Sequence, residues 1–444
     1  MYKILGLYLL SFVGYSLIPP IRTEDSVRIF LLLFILHSLL GFLILKKYSD
    51  RIDGSNSSLW ILFIISRLAV YPMLPWLSDD VFGYLWHGVL NINGWNCYVY
   101  PANSPEVSYL RNELYELLAY KTHSAIYPPL AEIFITFGVW IGQLFSNSWQ
   151  SSLFGWKFIL FFAEAIGFAF LLKSRKYVTF FSPALYVLLP ISSIEILGQA
   201  HNDGLVIAPL GMLIYLLAKN YGQKKSLLLT WKTGFTVGLM TLLKLIPIVL
   251  FLPLFRSQNS IKKKIILLFS IGITIVSISI FFFYDKRALS NFFGIIQFYN
   301  QTQFNSPLLQ LVRTVLDGLQ IQNWWIVAPT VLSVIRLSCI VALGWFYRPS
   351  GVRGVMMQLL AVYTVATIVS PKVHTWYFVP LLFLNSIVGW RWLTLGATGM
   401  MLTYTMYAVT PATEPLVLEA ILWVVMFIYM LKEIKENQSF LSNT

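Results

Sequence analysis

Charged residues are scarce in this chain, and their scarcity sets the class of protein. Only 11% of the 444 residues are charged, whereas 57% are hydrophobic, and the mean hydropathy is +0.70. Soluble domains carry about 25% charged residues, so the composition excludes an ordinary soluble protein. Several continuous apolar runs reach the roughly 20 residues with which a helix crosses a bilayer. The sequence therefore predicts a membrane protein.

Cysteines and acidic residues are also few. The two cysteines, Cys97 and Cys339, lie far apart in the sequence, which argues against a disulfide framework. The 19 acidic residues face 32 basic ones, giving a net charge of +13. The basic residues are scattered between apolar runs, as the positive-inside rule expects, so nucleic acid is a poor candidate partner.

The apolar runs predict an all-α, polytopic transmembrane protein with about 11 to 14 helices in a single domain, residues 1–444. Pro183 and Pro190 interrupt one run and Pro247 interrupts another. Prolines inside membrane helices are typical of kinks or half-helices that line a cavity. The first run, which follows Lys3, has no small-residue cleavage site and is interpreted as a retained helix.

Basic residues predict the orientation. Lys46, Lys47 and Arg51 follow the second run, and Lys262–Lys264 precede a later one, so both loops are expected in the cytoplasm. Residues 77–125 and 285–322 are then extracytoplasmic. The early loop, 77–125, is polar and rich in aromatic residues, and residues 107–119 have the spacing of an amphipathic interfacial helix. A loop of this length is usually functional.

One stretch does not fit this scheme. If the runs 126–146, 153–172 and 177–197 all cross the membrane, His201 falls on the cytoplasmic side. Lys173, Arg175 and Lys176 favour a cytoplasmic position for their own loop, which requires that one of the three runs is incomplete. The sequence does not say which.

Two adjacent acids, Asp79 and Asp80, follow the third apolar run. Ionisable groups at a membrane edge are candidate functional residues, although they also mark where a helix leaves the lipid. Other polar clusters stand out from the apolar background: Tyr127-Pro128-Pro129-Leu130, Gly198-Gln199-Ala200-His201-Asn202-Asp203-Gly204, Lys244-Leu245-Ile246-Pro247, Phe304-Asn305-Ser306-Pro307-Leu308 with Arg313, and Ser370-Pro371-Lys372-Val373-His374-Thr375-Trp376-Tyr377.

With these motifs the chain resembles the GT-C superfamily of integral-membrane glycosyltransferases, and most of all the bacterial polyprenol-phosphate-mannose-dependent mannosyltransferases. The clusters above and the segments Tyr84-Leu85-Trp86-His87-Gly88 and Gly94-Trp95-Asn96-Cys97-Tyr98 match that family in order. The chain departs from the pattern at His87, where the family usually has aspartate, and at Cys97, where it usually has proline.

The resemblance implies an enzyme of the bacterial inner membrane whose active site faces the periplasm. It would transfer a hexose, with mannose the first choice, from a polyprenyl-phosphate donor to a hydroxyl of an envelope glycolipid or glycan, with inversion. Asp79 or Asp80 would be the general base. The substrate-binding candidates are His87, Tyr127, His201, Asn202, Asp203, Lys244, Asn305, Arg313, Lys372 and His374, of which His201, Lys244, Arg313, Lys372 and His374 would face the leaving phosphate.

Several alternatives stay open. The sequence assigns no cofactor, and a divalent cation stays an open alternative because hard carboxylate oxygens at Asp79 and Asp80 suit Mg²⁺ or Mn²⁺. Asn202 or Asp203 is also explained as a helix N-cap, and Lys244 as a side chain that snorkels to the interface. The rival functions are a lipid-linked oligosaccharide transporter or flippase, which would show repeats and midplane charges, and a polysaccharide polymerase or ligase.

Overall fold

The computed structural model describes residues 2–178, 182–220, 226–301, 303–347, 350–409 and 413–442. Within these ranges the chain is helical, and no strand forms apart from one isolated parallel bridge between Phe304 and Lys372. The α-helices are Tyr2–Ser16, Glu24–Asp53, Asn56–Val70, Asp80–Ile92, Glu113–Glu116, Pro129–Gln143, Trp149–Ser174, Pro183–Leu188, Pro190–Ser193, Gly204–Lys219, Leu227–Leu243, Phe251–Arg256, Ile261–Ser279, Lys286–Gln301, Pro307–Gly318, Trp324–Val341, Gly351–Ile368, Phe378–Val388, Arg391–Met400 and Leu416–Ser442. Pro105–Leu110, Ile246–Leu250, Thr375–Tyr377 and Met401–Ala408 are 3₁₀-helices, and Ile194–Gly198 and Ala342–Phe346 are π-helices.

The all-α prediction is confirmed for the described residues. Among the described residues, four helices are long and apolar enough to cross a membrane: Glu24–Asp53, Trp149–Ser174, Trp324–Phe346 and Gly351–Ile368. The other apolar runs form shorter helices, among them Lys3–Ser16, Asn56–Val70, Gly204–Lys219, Leu227–Leu243, Ile246–Arg256 and Thr375–Val388. Four of the helices are thus candidate spans by length and composition, whereas the predicted total of about 11 to 14 transmembrane helices stays a prediction.

Prolines break the helices where the sequence predicts. Pro183 and Pro190 each stand near the start of a short helix, with the extended residue Leu189 between them. Proline has no backbone N–H to donate, so it is best tolerated in the first turn of a helix. Lys244 has an extended backbone, and Pro247 starts the next helical segment. The second break lies within the predicted cluster Lys244-Leu245-Ile246-Pro247.

Glycines let the helices around these clusters approach closely. A Cβ atom on Gly155 would lie 2.2 Å from the carbonyl oxygen of Gly138 on the neighbouring helix. A Cβ on Gly211 would lie 2.4 Å from the carbonyl oxygen of Gly167. Such close backbone contact is typical of helix pairs in membranes, and any side chain at these positions would push the helices apart.

Helix Pro129–Gln143 lies in the stretch that the charge pattern left unresolved. It has 15 residues, fewer than the roughly 20 that a crossing needs. Tyr127, just before it, contacts Tyr84, and in the following helix the indole N–H of Trp156 donates to the carbonyl of Ala200 at 2.9 Å. The run 177–197 is divided into short helices at Leu189.

Candidate functional site

A cavity of about 390 Å³ collects residues from distant parts of the chain. It is lined by residues from 78–87, 118–127, 303–304, 372–377 and 403–407. Six of the predicted site residues lie on it: Asp79, Asp80, His87, Tyr127, Lys372 and His374. The early loop, the later loop and the segment that carries Lys372 and His374 therefore meet at one place.

The two aspartates differ in their partners. The Arg22 guanidinium donates to both carboxylate oxygens of Asp79, at 2.6 and 3.0 Å, and to the carbonyl of Trp76 at 2.7 Å. It also lies over the ring of Tyr407, 4.4 Å from the centroid. A bidentate arginine fixes the geometry of a carboxylate as well as its charge. Asp79 is thus held in place and neutralised.

Asp80 instead opens the helix Asp80–Ile92 and borders the cavity between two tyrosines. The hydroxyls of Tyr84 and Tyr127 donate to its Oδ2, each at 3.5 Å, and lie 3.2 Å from each other. These are long hydrogen bonds that restrain the carboxylate weakly. Burial raises the pKa of Asp80 to about 6, although the Lys372 and Lys244 cations oppose this rise. A carboxylate with this pKa is suited to accept a proton near neutral pH.

Lys372 is the cation on the cavity wall. Its segment is tied to the later loop because Val373 N–H donates to the Phe304 carbonyl at 2.9 Å and Phe304 N–H donates to that of Pro371 at 3.1 Å. Burial lowers the pKa of Lys372 to about 8, and the Asp80 carboxylate opposes that fall. The lysine thus faces the same cavity as Asp80 with an ammonium that titrates just above neutrality.

Asn305 braces this crossing of segments. It has a left-handed backbone, with φ of +48°, which asparagine tolerates better than most residues. Its amide donates to the Val373 carbonyl at 3.2 Å and accepts from the indole N–H of Trp423 at 2.9 Å. The side chain is fully buried, so the structure shows Asn305 in contact with protein groups.

Four aromatic rings form a stack along one wall. Phe304 lies 4.6 Å from His374, His374 lies 4.2 Å from Trp376, and Trp376 lies 3.7 Å from His201, measured between ring centroids. The interplanar angles are 19°, 6° and 15°. His374 and Trp376 line the cavity, and His201 lies behind them. His201 is thus connected to the cavity through its ring contact with Trp376.

Lys244 is paired with Asp203. Its Nζ lies 2.6 Å from both carboxylate oxygens and 3.9 Å from the centroid of the Tyr377 ring. Asp203 occupies the cap position of helix Gly204–Lys219 but makes no side-chain cap hydrogen bond there. The N-cap alternative therefore does not describe Asp203. Among the described residues, neither side-chain polar atom of the buried Asn202 has a hydrogen-bond partner.

The predicted residues Arg313 and His87 contact groups that have not been described above. Arg313 is absent from the described lining of the cavity and lies over the ring of Trp324, 5.6 Å from its centroid. His87 lines the cavity, with its Nδ1 3.2 Å from the buried carboxylate of Glu132. The structure thus separates Arg313 from the other candidates.

Sequence reasoning missed three residues around the cavity. Arg22 follows Pro19-Pro20 at the end of the first helix, and the predicted orientation already placed that end on the side of Asp79. Glu195 accepts from Thr375 at 2.9 Å and from Tyr404 at 3.0 Å, and both of those residues line the cavity. Gln199 accepts from two backbone N–H groups before Asp79. Gln199 stands in the polar cluster 198–204 but is not among the predicted site residues, and nothing in the local pattern distinguishes Glu195.

For a divalent cation, the two aspartates do not form a joint site in this conformation, because both Asp79 oxygens accept from Arg22. Over the residues that the structure describes, no group of three or more His, Cys, Asp or Glu side chains is placed to hold a metal ion. Comparisons of the chain with protein-family models, with curated proteins and with solved structures find no match.

Proposed function

We propose that this protein is a membrane glycosyltransferase of the GT-C type. It transfers a hexose from a polyprenyl-phosphate donor to a hydroxyl group of an envelope glycolipid or glycan. The choice of mannose as the hexose, and of the bacterial inner membrane with a periplasmic active site, rests on the motif resemblance and the charge pattern. The four long apolar helices are consistent with a substrate carried on a lipid.

One observation carries the proposal: Asp80 and Lys372 face a single cavity while Asp79 is held by Arg22. A transfer from a lipid phosphate needs one group that accepts a proton and another that stabilises the departing phosphate. Asp80, whose pKa is raised to about 6, supplies the first, and the Lys372 ammonium supplies the second. A cavity of about 390 Å³ is large enough for a hexose at this position.

In the proposed transfer, the donor, the acceptor and Asp80 account for every bond that forms or breaks. The acceptor oxygen attacks the anomeric carbon of the donor, and the bond between that carbon and the phosphate oxygen breaks. The acceptor proton passes to Asp80, and the phosphate leaves on its lipid beside Lys372. One displacement inverts the anomeric configuration, so no carboxylate nucleophile of the retaining type is needed.

Lys244 and Asn305 have secondary roles in this proposal. Lys244 forms an ion pair with Asp203, so the Asp203 carboxylate offsets part of the electrostatic effect of Lys244 on the cavity. Asn305 holds the Lys372 segment against the later loop. The aromatic stack of Phe304, His374, Trp376 and His201 gives the cavity one rigid wall.

A reconstitution experiment tests the proposal. The purified protein in nanodiscs would receive a radiolabelled polyprenyl-phosphate mannose, the corresponding glucose donor, or a nucleotide-linked mannose, with an envelope lipid extract as acceptor. We expect label to move from a lipid-phosphate donor and not from the nucleotide sugar. The absence of transfer with all donors, together with movement of the lipid-linked sugar across the bilayer of proteoliposomes, would favour the transporter alternative.

Analysis of the product would identify the sugar, the acceptor and the linkage, which the sequence leaves open. Mass spectrometry of envelope glycolipids and glycans from cells that lack the protein should reveal a species short of one hexose. The anomeric configuration of the product made in nanodiscs, measured by NMR, should be opposite to that of the donor.

A further inference from the structure

The backbone that leads to the aspartates is irregular, and its residues 75–78 are buried. Residues 71–79 connect helix Asn56–Val70 to helix Asp80–Ile92, and after the turn in which Met73 N–H donates to the Val70 carbonyl the segment is not helical. Buried backbone N–H and C=O groups need partners, and an irregular segment has to find them in other parts of the chain. The partners of residues 71–77 therefore control where Asp80 lies.

Gln199 supplies the acceptor for this segment. Its Oε1 accepts from the N–H groups of Trp76 at 3.1 Å and Leu77 at 2.9 Å. The Gln199 side chain is fully buried, so no solvent competes for these bonds. One side-chain oxygen thus satisfies two successive amides directly before Ser78 and the aspartate pair.

Lys157 supplies the donor. Its Nζ donates to the carbonyls of Tyr71 at 3.0 Å and Gly198 at 3.3 Å, and also to the carbonyl of Met73. The lysine is fully buried in helix Trp149–Ser174. An ammonium group has three donors and no acceptor, and here three carbonyls match them. Lys157 therefore joins the segment before the aspartates to the residue before Gln199.

The loop that carries Gln199 is itself held in an unusual conformation. Ala200 has a φ of +60°, in the left-handed region that alanine rarely adopts. The indole of Trp156, next to Lys157 in the chain, donates to the Ala200 carbonyl at 2.9 Å. Strained backbone of this kind persists only where surrounding contacts hold it.

We propose that Gln199 and Lys157 are positioning residues for the transfer reaction, because together they anchor residues 71–77 and so set where Asp80 lies in the cavity. Neither residue is part of the described lining of the cavity. Their effect on the reaction passes through the backbone. This inference rests on the proposed function for its catalytic consequence, whereas the anchoring itself does not depend on it.

The first measurement tests the anchoring without any activity assay. Gln199→Met keeps the size of the side chain and removes the acceptor, so hydrogen exchange at the Trp76 and Leu77 amides should accelerate in nanodiscs. Lys157→Met should accelerate exchange in the same peptide. The matched control is Gln358→Met, since Gln358 is buried and donates to the carbonyls of Leu343, Gly344 and Tyr347 at 2.7–3.2 Å.

The second measurement follows transfer kinetics in the same three variants and in Lys157→Arg. A displacement of about 1 Å at a reacting group lowers rates by about 10²-fold. We expect kcat to fall by about that factor in Gln199→Met, with little change in the KM for the donor and with a displaced acid limb of the pH profile. Lys157→Arg, which keeps the charge and the donors, should recover part of the loss in Lys157→Met. Gln358→Met should keep both kcat and the pH profile.

Unchanged exchange at residues 74–80 in Gln199→Met would overturn the proposal, and so would accelerated exchange with an unaltered kcat and pH profile. Accelerated exchange spread equally over the whole protein, as in a general loss of folding, would also contradict it. If the wild-type protein transfers no sugar, the proposed function fails, and the exchange experiment still decides whether Gln199 and Lys157 anchor the segment.

Discussion

Arg22 holds Asp79 by two hydrogen bonds of 2.6 and 3.0 Å, and this contact makes two neighbouring carboxylates unequal. The side chains of Arg22 and Asp79 are partly exposed, at 31% and 40%, so this ion pair contributes at most about 1 kcal/mol to stability. Its larger effect is electrostatic. Without Arg22, the Asp79 charge would act on Asp80 without compensation and raise the Asp80 pKa.

Arg22→Gln should therefore reduce transfer at neutral pH and move the acid limb of the pH–rate profile to higher pH. The double variant Arg22→Gln/Asp79→Asn removes the uncompensated charge and should recover the original limb. Arg28→Gln is the control, because Arg28 pairs with Glu24 one turn away on an exposed face. An Arg22→Gln protein with the wild-type profile would contradict the assignment.

The pH dependence of transfer should be bell-shaped. Asp80 must be ionised to accept a proton, so the rate should rise as the pH passes about 6. Lys372 must be protonated to stabilise the phosphate, so the rate should fall above about 8. Lys372→Gln should abolish the alkaline limb and, because the Lys372 cation lowers the Asp80 pKa, move the acid limb upward.

Lys121→Gln serves as the control for the pH experiment, since Lys121 pairs with the exposed Glu116. A profile that is flat from pH 5 to pH 9, or an acid limb near the ordinary carboxyl pKa of about 4, would show that Asp80 is not the base.

The Lys244–Asp203 pair should act mainly on stability. Lys244→Met leaves the buried Asp203 without its cation, and breaking a buried pair costs about 3–5 kcal/mol. Thermal unfolding in detergent should show this loss, and Lys244→Met/Asp203→Leu should recover most of it. In contrast, Lys372→Gln should lose transfer and keep its melting temperature. Loss of transfer at unchanged stability in Lys244→Met would instead give Lys244 a direct role at the phosphate.

The orientation of the chain is testable with single cysteines. The background would carry Cys97→Ala and Cys339→Ala. Glu106→Cys in the early loop should react with a membrane-impermeant thiol reagent in intact cells, because that exposed residue is predicted to be extracytoplasmic. Ile261→Cys, 72% exposed beside Lys262–Lys264, should react only after the inner membrane is broken. The reverse pattern would invert the topology.

The sequence predicts the helices well because long apolar runs leave few alternatives to a helix. The breaks at Pro183, Pro190 and Pro247 follow from the missing N–H of proline. What the sequence could not show was how the helices after residue 126 pack. The Trp156 indole donates to the Ala200 carbonyl, and this contact between helix Trp149–Ser174 and the His201 segment depends on tertiary packing.

Some features of the candidate site could likewise be predicted from the sequence, and others could not. Asp80, Lys372 and His374 stand in polar motifs within apolar surroundings, so the pattern identifies them. Which of the two aspartates forms an ion pair depends on Arg22, which lies 57 residues before Asp79 in the sequence. The pairing of Lys244 with Asp203 likewise depends on tertiary packing, since a lysine after a helix is equally typical of a side chain at the membrane surface.

The most direct test of the account compares Asp80→Asn with Asp79→Asn in the nanodisc transfer assay. Asparagine keeps the shape of aspartate and cannot accept the proton, so Asp80→Asn should lose roughly 10²- to 10⁴-fold in turnover while donor binding persists. Asp79→Asn should lose much less, because Asp79 acts through Arg22. Normal transfer by Asp80→Asn, or an inactive Asp79→Asn beside an active Asp80→Asn, would contradict the assignment of Asp80 as the base.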